Sequence, residues 1–511
     1  GSFSKPLLAF MFVPVFLISG AAGFKEMYGL VPVEQLLFHI VMPGTGAHFG
    51  MVHKALIKIA FDSGVLFVLV AAFLSLKIVF KKTGKTVCFA FSKRIQRMGT
   101  ASFAVLGLGF FIVSMGFPEY IESLNRPPST FYEDHYIDPA SVDISFPAKK
   151  RNLIVLFIES LETGFLTREK GGAFSERLMP ELESLLRNNI NFSADGGPGG
   201  AFELYGTEWT IAGMAAQYSG LPLALSFLNR SYWNGYGTLG DAFLPGASSL
   251  GDILHNAGYK SYFILGSDIA FAGRDKYFAT HKNTVIYDHP YFRSHGYIPE
   301  AYHVWWGIED RKLYALAKEK MTEIAAEEPF FVTLLTADTH PPEGYLDPSA
   351  VKVFGDQYKN VLFDAGRQMD SFLAWLKEQP FYENTTVVVL GDHLFQDSSF
   401  FPRDFQIHSL GSRYDSDYHK NSLEGNHRRF PVNVFINSLL SGGSVKNRIF
   451  SHFDMFPALI DSIGGVYEAD GLGLGRSMDK GKPTLLETLG VDVVNTSLQQ
   501  RSEYYNSLWR N

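Results

Sequence analysis

Three long apolar runs fall within the first 120 residues, and no comparable run occurs later in the chain. They are Leu7–Phe24, Val65–Phe80 and Thr100–Phe117. With its flanking residues, each run approaches the roughly 17–25 residues that a helix needs to cross a bilayer. Buried core helices would have the same composition, but the clustering at one end of the chain favours membrane-spanning helices. We therefore predict a transmembrane region over residues 1–117.

A basic segment separates the second run from the third. Residues 81–97 contain six lysines and arginines and no acid. Because positively charged loops stay on the cytoplasmic side, this segment is predicted to be cytoplasmic and everything after Phe117 extracytoplasmic. Residues 25–58 are then also outside, with VEQLLFHIVM at the membrane interface. The pattern indicates a multi-pass protein of the cytoplasmic membrane. The chain begins with Gly1-Ser2, and we expect the native sequence to start further upstream.

The pattern changes at Arg151. Residues 118–150 are polar and contain prolines, which predicts a linker packed on the domain that follows. Beyond it, short apolar runs such as NLIVLFIES and TTVVVLGDH alternate with stretches of helical pattern such as MPELESLLRNN. Strands that are apolar on both faces are typical of a parallel sheet covered by helices. We predict an α/β domain with a largely parallel sheet flanked by helices over residues 151–511.

Charge and cysteine content argue against two classes of function. The net charge of −7 argues against a nucleic-acid-binding protein. Cys88 is the single cysteine of the chain, so neither an intramolecular disulfide nor a cysteine-based zinc site is available. Its position in the basic segment assigns it to the cytoplasmic side.

Polar residues follow several predicted strands at the points where these strands end. Glu159 follows NLIVLFI, Asp392 and His393 follow TTVVVLG, His340 follows FFVTLLTADT, and Asp268 comes soon after YFILG. Ligands of open α/β sheets bind beyond the carboxyl ends of the strands, so these side chains are expected to converge. Oxygen and nitrogen ligands suit Mn²⁺, Zn²⁺ or Mg²⁺. Taken singly, each residue is also compatible with a helix cap, a loop cap or a structural histidine.

Gly206-Thr207 precedes a predicted helix, EWTIAGMAAQ. Glycine lets the backbone approach a phosphate closely, and the start of a helix favours an anion. Thr207 is then either a nucleophile activated by a metal or only the N-cap of the helix, and the pattern alone does not separate the two. Thr210 lies one turn inside the predicted helix, where it is predicted to bond back to the helix or to pack.

Four segments in order resemble the lipoteichoic acid synthase and phosphoglycerol transferase I family of the alkaline phosphatase/sulfatase superfamily. They are NLIVLFIESLE, GTEWTIAGMAAQYSGLPL, ADTHPPEGY and VVVLGDH, and the resemblance covers about residues 120–480. It implies a sulfatase-like catalytic domain with Thr207 as the nucleophile and His340 as a substrate-facing histidine or general acid. It also implies one divalent cation, usually manganese with Mg or Zn as alternatives, bound by Glu159, Thr207, Asp392 and His393.

The segment SDIAFAGR resembles the loop with which that family holds glycerophosphate. On this basis Arg274 and Asp268 are candidate substrate-binding residues. The family's synthases have a tryptophan beside the phenylalanine, where this chain has Ala272, and the acid stands one residue out of step. The resemblance therefore supports a substrate contact by Arg274 more strongly than one by Asp268.

The resemblance implies transfer of a phosphoglycerol group from phosphatidylglycerol to an acceptor hydroxyl, through a phosphoglyceryl-threonine. The acceptor is a glycan, a glycolipid or a growing polyglycerophosphate chain. A catalytic domain tethered to the lipid bilayer suits a lipid donor.

Other functions are compatible with parts of the pattern. A sulfatase or phosphodiesterase is one, but sulfatases usually have a C/S-x-P-x-R context, whereas Glu208 and Trp209 follow Thr207. A phosphoethanolamine transferase shares the fold, metal and threonine but usually carries disulfides. A binding module without catalysis is expected to have lost the ligands that this chain retains. His419 and His427 form a further group, for which a solvated loop is favoured over a second metal site.

Overall fold

The structure is a computed structural model, in which the chain divides into two compact units. One unit comprises residues 1–33 and 48–122, and the other comprises residues 34–47 and 123–511. The structure describes residues 5–28, 33, 49–82, 85–194, 197–224, 242–282, 285–402, 405, 429–442 and 445–510.

The first unit consists of helices and one hairpin. In chain order these are helix α1 (Lys5–Tyr28), helix α2 (Phe49–Leu74), the antiparallel strands β1 (Lys77–Lys82) and β2 (Lys85–Ala90), and helix α3 (Lys93–Ser114). Helix α3 approaches α1 closely at Gly107, where a Cβ atom would lie 2.8 Å from the Cβ of Pro14. The missing side chain thus lets the two helices touch.

Two helices of the described residues are long and apolar enough to cross a membrane. They cover Leu56–Leu74 and Lys93–Ser114, and Phe10–Gly23 within α1 is a shorter apolar stretch. Large apolar side chains on α2 and α3 point outward: Phe61 is 70% exposed and Val105 is 72% exposed. Surfaces of this kind are unfavourable in water and mark contact with another apolar phase, which fits helices suited to lipid.

The structure corrects two predicted boundaries in this unit. Helix α2 ends at Leu74 and the chain enters β1 at Lys77, so the end of the predicted run Val65–Phe80 is a strand. The basic segment 81–97, predicted as a loop, forms much of the hairpin and the start of α3. Of the predicted interfacial stretch VEQLLFHIVM, all but Val33 lies outside the described residues.

The second unit is built on a six-stranded sheet. Its strands are β3 (Asn152–Ile158), β4 (Lys260–Leu265), β5 (Val285–Tyr287), β6 (Phe330–Leu335), β7 (Thr385–Gly391) and β8 (Asn433–Ile436). They lie in the order β5-β4-β6-β3-β7-β8. All neighbouring strands are parallel except β7 and β8, which are antiparallel. The prediction of a largely parallel sheet is therefore confirmed.

Thirteen further helices and a small hairpin are described from Phe117 onward. The helices are α4 (Phe117–Asn125), α5 (Phe131–His135), α6 (Pro180–Asn188), α7 (Thr210–Ser219), α8 (Leu250–Asn256), α9 (Arg274–Thr280), α10 (His289–Ser294), α11 (Asp310–Ile324), α12 (Gln357–Lys377), α13 (Met455–Ser462), α14 (Leu485–Leu489), α15 (Val491–Leu498) and α16 (Glu503–Ser507). The hairpin pairs β9 (Gly471–Leu472) with β10 (Gly475–Arg476).

The sheet separates two hydrophobic cores. Alternate residues of β3 serve opposite faces: Val155 and Phe157 belong to one core, and Ile154 and Leu156 belong to the other. Helices α7, α8, α9 and α13 cover the first face, and α6, α10, α11 and α12 cover the second. Because both faces are covered, the strands are apolar throughout, which is the pattern seen in the sequence.

The predicted linker, residues 118–150, is packed into the second unit from α5 onward. The Tyr132 ring lies 4.9 Å from the ring of Tyr505, and Tyr132 is buried in the first core. Backbone bridges join Ile137 to Gly473 and Ser145 to Val466.

Candidate metal centre and nucleophile

Three polar side chains converge at the carboxyl edge of the sheet. Glu159 directly follows β3, and Asp392 and His393 directly follow β7. Because these strands pair in parallel with Ile158 opposite Gly391, the residues after both strands emerge side by side. All three side chains are buried, and one ligand atom from each lies within 4.8 Å of the others. We call this group the Glu159–Asp392–His393 cluster.

The imidazole of His393 is oriented for use as a ligand. Its Nε2 is 3.2 Å from Glu159 Oε1 and 3.4 Å from Asp392 Oδ2. Its Nδ1 lies 2.8 Å from the carbonyl oxygen of Leu394. The Nδ1–H is thus held by the Leu394 carbonyl, and Nε2 faces the two carboxylates, where its lone pair would be available to a cation bound between them.

Ser160 links the two carboxylates. Its φ of 55° lies in the left-handed region, which serine seldom adopts. In this conformation its N–H donates to Asp392 Oδ1 at 2.8 Å, and its hydroxyl donates to Glu159 Oε1 at 2.9 Å. The N–H of His393 also donates to Asp392 Oδ1, at 2.9 Å. Asp392 Oδ2 is buried and accepts no hydrogen bond from the described residues.

The charges in the cluster depend on one another. Burial raises the pKa of Asp392 to about 8, and the neighbouring Glu159 carboxylate adds to the rise. Burial opposes a charge on His393, but Asp392 and Glu159 outweigh it and raise the pKa of the imidazole to about 10. Burial also raises the pKa of Glu159, yet the attraction of His393 outweighs burial and holds the pKa below its usual range. The cluster therefore requires positive charge among its carboxylates.

A divalent cation meets that requirement. Two carboxylates and one imidazole are ligands of the type that Mn²⁺, Mg²⁺ and Zn²⁺ accept. Asp392 Oδ2 is a buried, unsatisfied oxygen, and such atoms call for a partner. Glu159, Asp392 and His393 thus fit a metal site, with room in the coordination sphere for a further ligand.

The structure brings Thr210 to this cluster, whereas Thr207 makes its contacts elsewhere. The hydroxyl of Thr210, the first residue of α7, donates to Glu159 Oε2 at 3.2 Å. The hydroxyl of Thr207 donates to the Leu204 carbonyl at 2.7 Å and accepts from the Leu204 N–H at 3.0 Å. Thr207 is fully buried, and its hydroxyl already has a donor and an acceptor. The structure thus joins the Thr210 hydroxyl to the cluster and the Thr207 hydroxyl to Leu204.

The position of the helix start explains the difference. Helix α7 begins at Thr210 with Trp209 as its N-cap, so Thr210 is the first residue of the helix and does not lie one turn inside it. The first N–H groups of a helix have no acceptor within the helix and favour an anion. Helix α7 also lies against the cluster, because a Cβ on Gly213 would come within 1.9 Å of the Asp392 carbonyl oxygen.

Several supporting residues were not identified from the sequence. The hydroxyl of Thr339 donates to the Glu159 carbonyl at 2.6 Å, and Thr336 Oγ1 accepts from the Glu159 N–H at 3.3 Å. His452 Nε2 lies 3.0 Å from the Asp392 carbonyl oxygen. The only sequence signal for the threonines is their position after β6, and hydroxyl residues at strand ends are equally common in turns.

His340 lies in the loop after β6 and faces the same region. Its Nδ1 is 2.7 Å from the Pro341 carbonyl oxygen, which assigns the N–H to Nδ1 and leaves Nε2 to gain or lose a proton. Burial lowers the pKa of His340, and the Glu159 carboxylate partly offsets this. His340 also interacts electrostatically with His393 and Arg274.

Arg274 and Asp268 differ in what they offer a substrate. The Arg274 guanidinium is buried at the start of α9, and burial lowers its pKa to about 10 while the charge of Glu159 opposes the shift. Its Nη2 donates to Ser267 Oγ at 3.0 Å and to the Asp268 carbonyl at 2.8 Å. The Asp268 carboxylate instead closes a turn by accepting the N–H of Ala270 at 2.9 Å. Arg274 is therefore the cation of this region, and Asp268 helps to shape the loop.

His419 and His427, the candidates for a second metal site, lie outside the described residues.

Two proteins with similar sequences are named phosphoglycerol transferase I. The protein from Xanthomonas axonopodis pv. citri is 32% identical over 256 residues, which are 48% of this chain and 34% of the relative. The protein from Escherichia fergusonii is 30% identical over 286 residues, which are 54% of this chain and 35% of the relative. The chain thus spans about a third of the length of these curated relatives.

A solved structure and a family model add to the comparison. The lipoteichoic acid synthase LtaP from Listeria monocytogenes aligns with a TM-score of 0.47 and 17% identity, over 66% of this chain and 79% of that one. The sulfatase family model matches residues 151–466. These residues begin just before β3 and extend past α13, so they enclose the whole sheet and the cluster at its edge. Since this match covers more than half of the chain, the protein belongs to the sulfatase family.

Proposed function

We propose that the protein is a membrane-anchored, metal-dependent phosphoglycerol transferase. It moves a phosphoglycerol group from phosphatidylglycerol to a hydroxyl of a glycan, a glycolipid or a polyglycerophosphate chain on the extracytoplasmic side. One observation carries the proposal: the Thr210 hydroxyl is hydrogen-bonded to Glu159 in a buried cluster with Asp392 and His393. The names of the relatives that match about half of the chain support the phosphoglycerol group.

Glu159, Asp392 and His393 would hold the cation, and the Thr210 hydroxyl, which donates to Glu159, would lie beside it. When bound, a divalent cation supplies positive charge that lowers the pKa of a neighbouring hydroxyl and offsets charge on the phosphate. Thr210 replaces Thr207 as the proposed nucleophile because its oxygen is the one beside the cluster.

In the first half of the reaction, the Thr210 oxygen forms a bond to phosphorus after its proton has passed to solvent. The bond from phosphorus to the diacylglycerol oxygen breaks, and His340 donates a proton from Nε2 to that oxygen. A pKa below the usual histidine value makes the imidazolium a stronger acid, and the negative charge of a bound phosphodiester favours its protonated form. The product is phosphoglyceryl-Thr210.

In the second half, an acceptor hydroxyl replaces the threonine. Nε2 of His340 takes the acceptor proton, the acceptor oxygen bonds to phosphorus, and the bond to Thr210 breaks. The Thr210 oxygen then regains a proton from solvent. Arg274 offsets phosphate charge through its buried guanidinium. The N–H groups at the start of α7 face the oxygens that gain charge as phosphorus is attacked.

The membrane helices support a lipid donor. Helices α2 and α3 carry exposed apolar side chains, which is consistent with a catalytic domain anchored in the bilayer that contains its substrate. A water-soluble phosphodiester would not require such an anchor.

The test uses the full chain in vesicles with Mn²⁺. Labelled phosphatidylglycerol is expected to yield diacylglycerol and a phosphoglycerol adduct on the protein, and phosphatidylethanolamine to yield neither above background. Addition of a glycan or glycolipid should then discharge the adduct. Equal or faster reaction with phosphatidylethanolamine would favour a phosphoethanolamine transferase instead. Repeating the assay with Mg²⁺ and Zn²⁺ identifies the cation that supports turnover.

A further inference from the structure

Two adjacent tryptophans form the tip of a tight turn beside His340. The N–H of Val304 donates to the Gly307 carbonyl, and the N–H of Gly307 donates to the Val304 carbonyl, both at 2.9 Å. Trp305 and Trp306 are thus the two central residues of a closed turn. Turns of this kind favour asparagine, aspartate or glycine at their centre, so a pair of indoles here goes against local preference.

The backbone of Trp305 is strained. Its φ is 56°, a region in which a bulky side chain is a clear outlier. Such a conformation persists only when surrounding contacts hold it. The Trp305 Nε1–H donates to the Ala337 carbonyl at 2.8 Å, and its ring stacks on Tyr345 with centroids 6.4 Å apart. Both of these contacts are with the segment that carries His340.

Trp306 contacts the histidine itself. Its ring centroid lies 4.7 Å from that of His340 at an interplanar angle of 54°. On its other side it lies 5.1 Å from the ring of Phe271, which in turn lies 5.6 Å from the Arg274 guanidinium carbon. One turn thus contacts the His340 segment and the segment that carries Arg274.

Contacts outside the turn also hold the residues just before His340, but these contacts do not involve the imidazole ring. Asp310 accepts the N–H groups of Ala337 and Asp338 at 2.8 and 3.0 Å. The Thr339 hydroxyl bonds to the Glu159 carbonyl. These contacts hold backbone N–H groups and a side chain next to His340. The indoles contact the Ala337 carbonyl and the imidazole ring itself, and so restrict the rotation of the ring.

We propose that the Trp305-Trp306 turn is a positioning element that fixes the His340 imidazole for proton transfer. Trp305 fixes the segment through the Ala337 carbonyl, and Trp306 restricts the ring by direct contact. This inference rests on the proposed function, in which His340 donates a proton to the leaving oxygen. A misplacement of about 1 Å in a reacting group can cost about 100-fold in rate. Correct placement of the His340 imidazole therefore gives a reason for the unfavourable backbone conformation of Trp305.

The experiment varies the leaving group. Two phosphoglycerol donors are compared with the full-length protein: one with an alkyl alcohol, which leaves well only if protonated, and one with nitrophenol, which leaves as the anion. The variants are Trp305→Phe, which loses the N–H donor but keeps an aromatic ring, and Trp306→Ala. Trp375→Phe on α12 is the matched control, because its ring lies against Phe372 in the other core. His340→Ala is the reference for complete loss of the proton donor.

Trp305→Phe and Trp306→Ala are expected to slow transfer from the alkyl donor about tenfold or more and from the nitrophenyl donor less than twofold. Trp375→Phe should change neither. The double variant Trp305→Phe/His340→Ala should be no slower than His340→Ala alone, since the two residues act through one proton transfer.

An equal loss with both donors would overturn the positioning role, because general damage to the fold or to cation binding would slow both reactions. If His340→Ala itself shows no dependence on the leaving group, then the assignment of His340 as proton donor fails together with this inference. If His340→Ala shows the dependence and the tryptophan variants do not, only the positioning role fails. Asp310 still holds the segment in Trp305→Phe, so the variant should fold, which a denaturation curve checks.

Discussion

The two threonines near α7 allow a decisive comparison, because each can be changed to valine with little change of shape. Thr207→Val removes the acceptor of the buried Leu204 N–H, while the Leu204 carbonyl keeps the Thr207 N–H as a donor. One buried N–H without a partner costs about 1–3 kcal/mol of folding free energy. Thr210→Val removes a hydroxyl that is partly exposed to solvent, which should cost about 1 kcal/mol or less.

The effects on activity are expected to be the reverse. Thr210→Val lacks the oxygen that attacks phosphorus, so phosphoglycerol transfer should fall by at least about 10⁴-fold, the scale seen when a nucleophile is removed. Folded Thr207→Val should retain transfer within about threefold. Thr210→Ser keeps a hydroxyl at the same position and should retain part of the activity and the adduct.

Urea denaturation and transfer assays on the same preparations measure both effects, and intact-protein mass spectrometry detects the phosphoglyceryl adduct. The expected pattern is a destabilised but active Thr207→Val and a stable but inactive Thr210→Val. Near-normal transfer by Thr210→Val, or an adduct on it, would refute the assignment. So would a folded Thr207→Val that cannot transfer.

Three further outcomes are expected. First, burial lowers the pKa of His452 to about 4. An unfolded chain binds this proton below about 6.5 while the folded chain does not, so the contribution of His452 to stability should fall by about 3 kcal/mol as the pH drops from 6.5 to 4. Denaturation curves for His452→Gln should lack this contribution, whereas the exposed control His255→Gln should match the wild type. Second, Gly213→Ala would place a Cβ 1.9 Å from the Asp392 carbonyl oxygen. It should weaken cation binding, measured by calorimetry, and slow transfer, each by about tenfold or more. The control Gly355→Ala, with no atom within 4 Å of the added Cβ, should change neither cation binding nor transfer. Third, a chelator should abolish transfer and lower the melting temperature, and a thermal scan that does not respond to chelator or to added Mn²⁺ would contradict a cation at the cluster.

Much of the metal cluster could be anticipated because parallel strands place their carboxyl ends along one edge. Glu159 and the Asp392-His393 pair are far apart in the sequence, yet each follows an apolar run that is long enough for a buried strand. The topology then requires them to meet, since β3 and β7 are neighbours. No knowledge of side-chain conformation was needed for that step.

The choice of threonine depended on finer detail than a hydrophobic pattern contains. The predicted helix begins at Glu208 and contains Thr210 in its interior, whereas the helix in the structure begins at Thr210 and the Thr210 hydroxyl donates to Glu159. A shift of two residues in the start of the helix, which is within the ordinary uncertainty of helix boundaries, decides which threonine hydroxyl contacts the Glu159 carboxylate.

The Trp305-Trp306 turn could not be predicted from the sequence for a different reason. Its conformation opposes local preference and is held by contacts with residues more than 30 positions away.

Ser160 has a consequence for the order of events at the cluster. Its left-handed backbone directs one N–H to Asp392 and one hydroxyl to Glu159, so the spacing of the carboxylates is set by the protein chain itself. The unfavourable backbone conformation of Ser160 forms when the protein folds, and so it adds no energetic cost when the cation binds. We therefore expect uptake to be limited by the access of the ion to the buried edge of the sheet. Its observed rate should rise in proportion to ion concentration, with no plateau from a slow rearrangement.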